Sequence, residues 1–415
     1  MNTSRPPLLP LDDALQRLLA AAQPLGKVEQ LSTFEADNRV LAQDVVSALQ
    51  VPPQDNSSMD GYALGCASVS APGTVLAVTQ RIAAGSSGHR VQAGEAARIF
   101  TGAPIPPGAD AVVMQEDCAV IAEATGNAPA QVRVQVRPAP GQWIRRAGED
   151  VTLGAVVLPR GLRLSPAGLG MAAAVGLAQL QVAARPRVAL FSTGDELVMP
   201  GDVAPADMRP GAIYNSNRFF LRAMLLRLGC TVSDLGIVPD RRDATVQALR
   251  EASQHHDLIL TSGGVSVGEE DHIRPAVQAL GALDLWQIAI KPGKPFAYGR
   301  VGSAHFIGLP GNPVSSFVTF ALLVRPFLLR LQAAANTAPI TVSARADFEW
   351  PRADKRREFL RVRRNADGGL DLFPNQSSGV LTSAVWGDGL VDNPPGQTVR
   401  RGDTVRFIAF SDLLY

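Results

Sequence analysis

The sequence contains little of what usually cross-links a chain or holds a zinc ion. Its 415 residues include three cysteines, Cys66, Cys118 and Cys230, which are far apart and form no CxxC pair. Cysteines in this arrangement are small buried hydrophobes more often than disulfide or zinc ligands. The five histidines show no HExxH or similar spacing. This pattern argues against a disulfide scaffold and a zinc enzyme, and it fits a reducing compartment.

Charge of one sign and long apolar runs are scarce as well. Charged residues make up 19% of the chain and the formal net charge is +1, so nothing indicates a nucleic-acid coat or an acidic partner. The most apolar segment, 169–184, includes Gln179 and Gln181 and falls short of the ~20 apolar residues of a membrane span. Segment 11–22 has the period of an amphipathic surface helix rather than a signal peptide. We therefore expect a cytoplasmic protein with no membrane or nucleic-acid partner.

Two nucleotide-binding signatures are absent. The sequence lacks GxxxxGK[ST], which excludes a P-loop NTPase. It also lacks GxGxxG, which argues against a dinucleotide site of the Rossmann type. A ligand site in this chain therefore has to be sought in other loops.

Hydrophobic periodicity divides the chain into three parts. From about residue 30 to 185, short strand patterns alternate with turns, which predicts two mainly-β lobes. From 187 to 331, apolar strands alternate with amphipathic helices, which predicts an α/β domain with a mostly parallel sheet. From about 335 onward the pattern is β again, typical of a small barrel or sandwich. The prediction is a multidomain α/β plus β protein.

Four loops of the central part are expected to meet, because ligands of open α/β sheets lie outside the carboxyl ends of the strands. These loops are 191–197, 261–271, 291–295 and 308–315. The small residues of 261–271, among them Ser262 and Ser266, let backbone and hydroxyls approach a phosphate. Asn312 is placed to cap the last helix and Pro313 to begin it, and the free amides at a helix start attract anions.

The same loops carry charges of both signs. Positive charge comes from Lys291 and Lys294, and negative charge from Asp195, Glu196, Glu269, Glu270 and Asp271. A divalent cation such as Mg²⁺, bound by carboxylates and substrate phosphates together, reconciles the two. Each loop alone is more often an ordinary turn, and the acids after Gly268 also suit a solvated helix start. The combination of loops favours a ligand site.

Further polar clusters lie outside the central part. Loop 52–63 gathers acidic and hydroxyl side chains, and 145–150 places two arginines beside two acids. Near the C-terminus, alternation in "EFLRV" puts Phe359 and Arg361 on one face of a strand. A solvated strand face is the default interpretation of that basic stretch, and an anion site is the alternative.

Together these clusters resemble the molybdopterin molybdenumtransferase family, of the bacterial MoeA and gephyrin E-domain types. The resemblance covers nearly the whole chain. It rests on strings that occur in the family's order: "DNSSMDGYA", "IFTGAPIPPGADAVVMQE", "IRRAGEDV", "LFSTGDEL", "YNSN", "SGGVSVGEEDH", "IKPGKPFAYG", "GLPGNPVSSF" and "NQSSGVLTS". Gln54 and Ser58 depart from the family pattern, in which an aromatic residue and alanine are usual.

The resemblance implies a transferase that takes adenylylated molybdopterin and molybdate and, with Mg²⁺, releases AMP in the final step of molybdenum cofactor biosynthesis. It implies an elongated homodimer with a cleft shared between subunits, and the molybdopterin adenylyltransferase and molybdoenzyme acceptors as partners. The implied fold has a central MogA-like three-layer α/β domain at 186–332. Around it are a linker and dimerisation domain at 1–50 and 142–185, a β-rich lobe at 51–141 and a small β-barrel at 335–415.

Matching the motifs residue by residue also implies the site. The implied catalytic residues are Asp60, Thr101, Asp150, Glu196, Asp240 and Asp271, of which Glu196 and Asp271 are the implied metal ligands. The implied substrate-binding residues are Ser262, Gly263, Gly264, Ser266, Gly268, Lys291, Lys294, Pro295, Gly311, Asn312, Pro313, Ser315, Arg361 and Ser378. Molybdate is an oxyanion and needs donors. Lys291 and Lys294 are the first candidates, and Arg361 with Ser377 or Ser378 are the next.

Three other interpretations stay open. A relative that inserts tungsten has the same requirements, because tungstate is nearly the same in size and charge as molybdate. A scaffold of the same fold is a second possibility, although the sequence shows no long disordered linker or added domain. Adenylylation of molybdopterin by the α/β domain is a third, but it would leave the β lobes without a task.

Overall fold

The structure is a computed structural model that describes residues 8–126, 128–265 and 272–414. Its N-terminal part consists of short strands and two helices. In chain order these elements are α1 (Leu11–Ala21), β1 (Val28–Ser32), β2 (Val45–Val46), β3 (Asn56–Ser57), β4 (Gly61–Leu64), β5 (Thr74–Ile82), β6 (Glu95–Ile99), β7 (Ala111–Met114), β8 (Cys118–Ala122), β9 (Ala130–Val134), β10 (Ile144–Arg145), β11 (Val156–Leu158), α2 (Pro166–Ala174) and β12 (Gln179–Ala183).

These strands form two mainly-β lobes, as predicted. Strands β4 to β9 make a mixed six-stranded sheet in the order β7-β4-β6-β5-β9-β8. Alternate residues of β4 enter separate apolar clusters, Tyr62 and Leu64 in one and Ala63 in the other. The second lobe holds the pairs β1–β12 and β2–β11 around its own core, which includes Leu41 and Val182.

Helix α1 precedes the N-terminal lobes in the chain but packs against the central α/β domain. Leu11, Ala14 and Leu18 are buried in the main core of the central domain. Just before the helix, Leu9 donates its backbone N–H to the carbonyl of Gln287, at 2.7 Å. The apolar face of the amphipathic segment 11–22 is therefore the face that packs on the α/β domain.

The central domain alternates strands and helices. Its elements are β13 (Arg187–Thr193), β14 (Leu197–Val198), β15 (Ile213–Tyr214), α3 (Ser216–Arg227), β16 (Thr231–Val238), α4 (Arg242–His255), β17 (Leu258–Ser262), α5 (Ile273–Leu280), β18 (Gly281–Gln287), β19 (Ile290–Lys291), β20 (Pro295–Val301), β21 (Ala304–Leu309), α6 (Pro313–Thr319) and α7 (Arg325–Leu331). A π-helical turn, Phe320–Val324, joins α6 to α7.

The six-stranded central sheet has the order β16-β13-β17-β21-β20-β18. The first four strands pair in parallel, and β20 pairs antiparallel with both β21 and β18. Apolar residues alternate between its faces. In β13, Val188 and Leu190 enter the core shared with α3, α6 and α7, whereas Ala189 and Phe191 enter the core shared with α4 and α5. Helices therefore cover both faces, which confirms the three-layer α/β prediction. The antiparallel strand β20 was not predicted.

The helix from Pro313 to Leu331 forms the centre of this core. By length and composition alone it is apolar enough to cross a membrane, so the interpretation of 169–184 as the most apolar segment of the chain is wrong. However, 89% of its most apolar window is buried inside the protein. It is thus a buried core helix, which explains why it is hydrophobic all round.

The C-terminal part forms a closed barrel, as predicted. Its elements are β22 (Val342–Ala346), β23 (Arg357–Arg364), β24 (Gly369–Leu372), α8 (Thr382–Trp386), β25 (Gly389–Asn393), β26 (Thr404–Ala409) and α9 (Phe410–Leu414). Pairing in the order β23-β24-β22-β26-β25 returns to β23 and closes five strands. Strand β25 had no clear sequence signal of its own.

The interpretation of "EFLRV" as a solvated strand face is wrong. Leu360 and Val362 point into the barrel core. Phe359 belongs to the core of the α/β domain, because β23 lies where the barrel docks onto that domain. Arg361 shares the side of Phe359 and is only 1% exposed.

Candidate functional site

The carboxyl ends of the parallel strands β13, β17 and β21 meet at one edge of the central sheet. Asn217, in the first turn of α3, ties two of the following loops together. Its Nδ2 donates to the hydroxyl of Ser262 and to the carbonyl of Gly311, both at 2.7 Å. The backbone N–H of Gly263 also donates to Leu309, at 3.1 Å. The predicted meeting of loops 261–271 and 308–315 is thus seen in the residues that the structure describes.

Two glycines let this edge close up. Gly263 and Gly264 have φ of +92° and +68°, the left-handed region that side chains disfavour. A β-carbon on Gly263 would lie 2.9 Å from the carbonyl oxygen of Thr193. The backbone of this turn therefore lies too close to the end of β13 to admit a side chain at Gly263. Ser266, Gly268 and Asp271, which the sequence also predicted, lie outside the described residues.

Asn217 was missed as a site residue, although it lies in the "NSN" that begins α3. It is 7% exposed, and both of its partners sit in candidate ligand loops. We expect Asn217→Ala to lower the free energy of unfolding by about 1–3 kcal/mol, because the buried Ser262 hydroxyl and the part-buried Gly311 carbonyl lose their donor. The affinity of the Asn217→Ala variant for inorganic pyrophosphate should also fall. Denaturant unfolding and titration check this. Arg222→Ala, on an exposed position of the same helix, should change neither.

The start of α6 has free backbone donors. Asn312 occupies the N-cap position and Pro313 the first turn, as predicted, but the Asn312 side chain makes no capping hydrogen bond. The amide of Val314 donates to the carbonyl of Ser378, at 2.9 Å. In the described part of the chain, the amides of Gly311 and Ser315 have no acceptor. Free amides at the start of a long helix form an anion site.

Arg361 lies under this helix start. Its Nε donates to the Ser383 hydroxyl at 3.1 Å, and Nη1 to the carbonyl of Phe359 at 3.0 Å. Its Nη2 donates to the carbonyl of Ser377 at 3.4 Å. The next residue, Ser378, accepts the hydrogen bond from the amide of Val314 at the start of α6. Burial lowers the pKa of Arg361 to about 10, and no carboxylate is paired with it among the described residues. A guanidinium held without a counter-charge is suited to an incoming anion.

The loop 291–295 approaches the same helix. A β-carbon on Gly293 would lie 2.5 Å from Oγ1 of Thr319, whose hydroxyl donates to the carbonyl of Ser315. The two predicted lysines of this loop differ. Lys291 forms ion pairs with Glu358 at 3.0 Å and Asp354 at 3.3 Å. Lys294, half-buried beside Pro295, forms no ion pair with the described residues.

Of the predicted carboxylates, Glu196 follows β13 at this sheet edge. Its carboxylate folds back over Gly194, which leaves no room for a β-carbon there. Glu196 is exposed and accepts no side-chain hydrogen bond within the described residues, so no structural partner occupies it. Asp240 follows β16 at the same edge and is half-buried. No group of three or more candidate metal ligands occurs in the described part of the chain.

The remaining predicted residues lie in the N-terminal lobes. Oδ1 of Asp60 accepts from both the amide and the hydroxyl of Thr101, each at 2.8 Å, and these bonds hold the pKa of Asp60 below its usual value. Asp150 is exposed and precedes Val151, which forms an antiparallel β-bridge with Val51. None of the three forms a hydrogen bond with the α/β domain among the residues described.

Comparison with known proteins agrees with this architecture. Family models match in sequence along the chain: "MoeA N-terminal region (domain I and II)" at 9–176, "Probable molybdopterin binding domain" at 189–330 and "MoeA C-terminal region (domain IV)" at 343–410. The crystal structure of the molybdopterin biosynthesis moeA protein from Pyrococcus horikoshii OT3 is similar, with a TM-score of 0.82 and 28% identity, over 97% of this chain and 100% of that one. The fold is that of a MoeA-type protein.

Curated relatives extend the comparison. The molybdopterin molybdenumtransferase of Haemophilus influenzae is 40% identical over 355 residues, 85% of each chain. That of Nostoc sp. is 34% identical over 384 residues, 89% of this chain and 86% of the relative. This chain therefore belongs to the molybdopterin molybdenumtransferase family.

Proposed function

We propose that the protein is a molybdopterin molybdenumtransferase, which transfers molybdenum from molybdate to adenylylated molybdopterin and releases AMP. The observation that carries the proposal is the buried guanidinium of Arg361 below the start of α6. That arrangement is combined with a glycine-rich turn at the end of the neighbouring strand β17. Two anion-binding elements side by side suit a reaction that joins an oxyanion to a phosphate-bearing substrate.

Molybdate is the anion that we assign to Arg361. A guanidinium has five N–H donors, and those of Arg361 meet three described acceptors, one of them at the long distance of 3.4 Å. Donors thus remain for a tetrahedral dianion, which also supplies the missing counter-charge. The hydroxyl of Ser378 and the free cation of Lys294 belong to the same cluster of loops. Pairing with a dianion would offset the cost of burying the guanidinium.

The pyrophosphate of adenylylated molybdopterin would bind at the turn of Gly263 and Gly264 and the start of α6. Asn217 holds these two loops at a fixed separation, so the backbone donors are arranged before the substrate arrives. The thiolates that accept molybdenum belong to the pterin. The scarcity of cysteine in the chain is therefore compatible with this chemistry.

A Mg²⁺ ion fits the residues at this edge. Glu196 presents an exposed carboxylate with no structural partner in the described residues, and Mg²⁺ is commonly bound by one or two carboxylates plus substrate phosphates. Glu196 would hold the ion, together with Asp271 from the loop that follows β17. Such an ion supplies charge neutralisation when the phosphoanhydride is cleaved. The protein's part is to orient the phosphates and the oxyanion beside each other.

We also propose that the protein is a homodimer in which Asp60 and Thr101 act in the cleft of the partner subunit. In the described residues, the hydrogen bonds of the Asp60 carboxylate stay within its own lobe. The second lobe, which holds the pairs β1–β12 and β2–β11, has an apolar surface suited to association. Phe34 is 97% exposed, and the paired residues Val46 and Val156 are 52% and 53% exposed. Exposed apolar clusters of this kind mark interaction sites.

The reaction itself is tested with purified protein, adenylylated molybdopterin, molybdate and Mg²⁺. We expect release of AMP that depends on molybdate, together with cofactor that activates an apo-molybdoenzyme. Replacing molybdate by tungstate tests the preference for the metal. A folded sample that releases no AMP in the presence of molybdate would overturn the proposal and favour a scaffold. Formation of adenylylated molybdopterin from ATP would indicate the adenylyltransferase instead.

The shared cleft makes a prediction of its own. Asp60→Asn and Glu196→Gln should each be inactive as homodimers, but subunit exchange between them should restore about a quarter of wild-type AMP release. Half of the randomly mixed dimers are mixed, and each of these has one intact cleft. Refolding the two variants together and assaying AMP checks this. Mixtures that stay inactive, while mass spectrometry finds mixed dimers, would place Asp60 and Glu196 in the site of one subunit. An active Asp60→Asn homodimer would remove Asp60 from the site.

A further inference from the structure

Glu358 is a buried carboxylate at the junction of the barrel and the α/β domain. It is 1% exposed and lies on β23, three residues before Arg361. It accepts hydrogen bonds from Lys291 Nζ at 3.0 Å, Trp350 Nε1 at 2.7 Å and Asn393 Nδ2 at 3.4 Å. Of these donors, only Lys291 carries a charge, so Lys291 is the direct counter-ion of Glu358.

The ammonium of Lys291 is shared with a second acid. Asp354 lies 3.3 Å from Nζ and is itself held by Arg356, through bonds of 3.0 Å and 2.7 Å. With Arg356, the group holds two positive and two negative charges, so the charge of the Lys291 ammonium is already balanced. An oxyanion that approached Lys291 would have to compete with Glu358, which is buried.

The pair fastens a loop to a strand. Lys291 ends β19, which pairs in parallel with the beginning of β23, with Ile290 opposite Arg357 and Lys291 opposite Glu358. The amide of Arg357 also donates to the carbonyl of Ala289, at 2.9 Å. These contacts hold the loop 291–295 to the strand that carries Arg361. The next turn of the loop, at Gly293, is in turn packed against α6.

We propose that the two lysines of "KPGKP" have separate tasks: Lys291 is a positioning residue that Glu358 holds, and Lys294 is the lysine that contacts the oxyanion. The assignment deepens the proposed function and rests on it. In the described residues Lys294 has no carboxylate partner, and it follows directly on the part of the loop that the pair holds. The Lys291–Glu358 pair therefore holds the loop that carries Lys294 to the strand that carries Arg361.

The test compares Lys291→Met, Glu358→Gln, their double variant and Lys294→Met in the complete protein. Molybdate affinity is measured by equilibrium titration, KM and kcat for molybdate by AMP release, and Tm by calorimetry. Lys294→Met should weaken molybdate binding by about tenfold or more, as for a lost hydrogen bond between charged groups, with Tm unchanged. Lys291→Met should lower Tm by about 3 °C or more. Its effect on molybdate binding should be about threefold at most, and Lys291→Arg should reverse it.

Glu358→Gln gives the sharpest distinction. If Lys291 is a positioning residue, Glu358→Gln weakens molybdate binding slightly, as Lys291→Met does, and the double variant is no worse than either. If Lys291 is itself an oxyanion ligand, Glu358→Gln frees its ammonium and molybdate binds more tightly. That result, or a tenfold loss in Lys291→Met at unchanged Tm, would overturn the assignment. Wild-type protein that binds no molybdate would instead refute the proposed function, while leaving the Tm coupling of Lys291 and Glu358 measurable.

Discussion

Replacing Arg361 by methionine is expected to raise the molybdate concentration for half-maximal AMP release by about 100-fold, which corresponds to roughly 3 kcal/mol of charge-assisted hydrogen bonding. A methionine side chain offers no N–H donor and no positive charge in place of the guanidinium. The effect should lie mainly in KM, because the oxyanion is bound before and during the reaction. Steady-state AMP release at varied molybdate measures it.

The same substitution should leave the fold nearly as stable as before. The charged form of Arg361 is disfavoured by burial, as the lowering of its pKa to about 10 indicates. Removing that charge relieves a desolvation cost, which offsets the hydrogen bonds lost to Ser383 and Phe359. We expect Tm to move by less than about 4 °C. Arg363→Met, on an exposed position of the same strand, is the matched control and should leave KM unchanged.

A KM for molybdate in Arg361→Met that equals the wild-type value would remove this residue from the oxyanion site. Arg361→Lys adds a second comparison. A lysine at this position keeps the charge but loses the planar donors, so its KM should lie between wild type and the methionine variant. Restoration to the wild-type KM by lysine would mean that charge alone, without hydrogen-bond geometry, binds the anion.

Sequence patterns predicted the place of the site better than the state of its side chains. The loops after β13, β17 and β21 meet because parallel strands present their carboxyl ends at one edge, and that follows from strand and helix alternation alone. The burial of Arg361 does not follow from it. Strand β23 has one face in the barrel and the other against the α/β domain. A basic strand buried on both faces cannot be distinguished from a solvated one until the docking partner is known.

The different surroundings of Lys291 and Lys294 could not be predicted from the sequence either. Both stand in one five-residue motif, each is followed by a proline, and no local property separates them. What distinguishes them is Glu358, which is 67 residues further along the chain and is opposite Lys291 only because β19 joins the barrel sheet. Asn217 was missed for a similar reason. Its partners, Ser262 and Gly311, come from distant segments that the sheet topology brings together.

Replacing Glu196 by glutamine is expected to lower kcat for AMP release by about 100-fold or more, the usual cost of removing one preorganised charge from a reaction centre. Glutamine keeps the shape of the side chain but not the negative charge that Mg²⁺ requires. The apparent Mg²⁺ requirement should rise in parallel. Since the carboxylate has no structural partner among the described residues, Tm should stay at the wild-type value.

Two further variants separate the charge of Glu196 from its surroundings. Asp195→Asn removes an equally exposed carboxylate one position earlier and should leave both kcat and the Mg²⁺ requirement unchanged. Gly194→Ala keeps Glu196 but displaces its carboxylate, because a β-carbon would occupy the same space, and φ of +141° is strained for alanine. It should therefore lose turnover as Glu196→Gln does, with a lower Tm. Wild-type turnover in Glu196→Gln, or an equal loss in Asp195→Asn, would show that the cation is held elsewhere in the cleft.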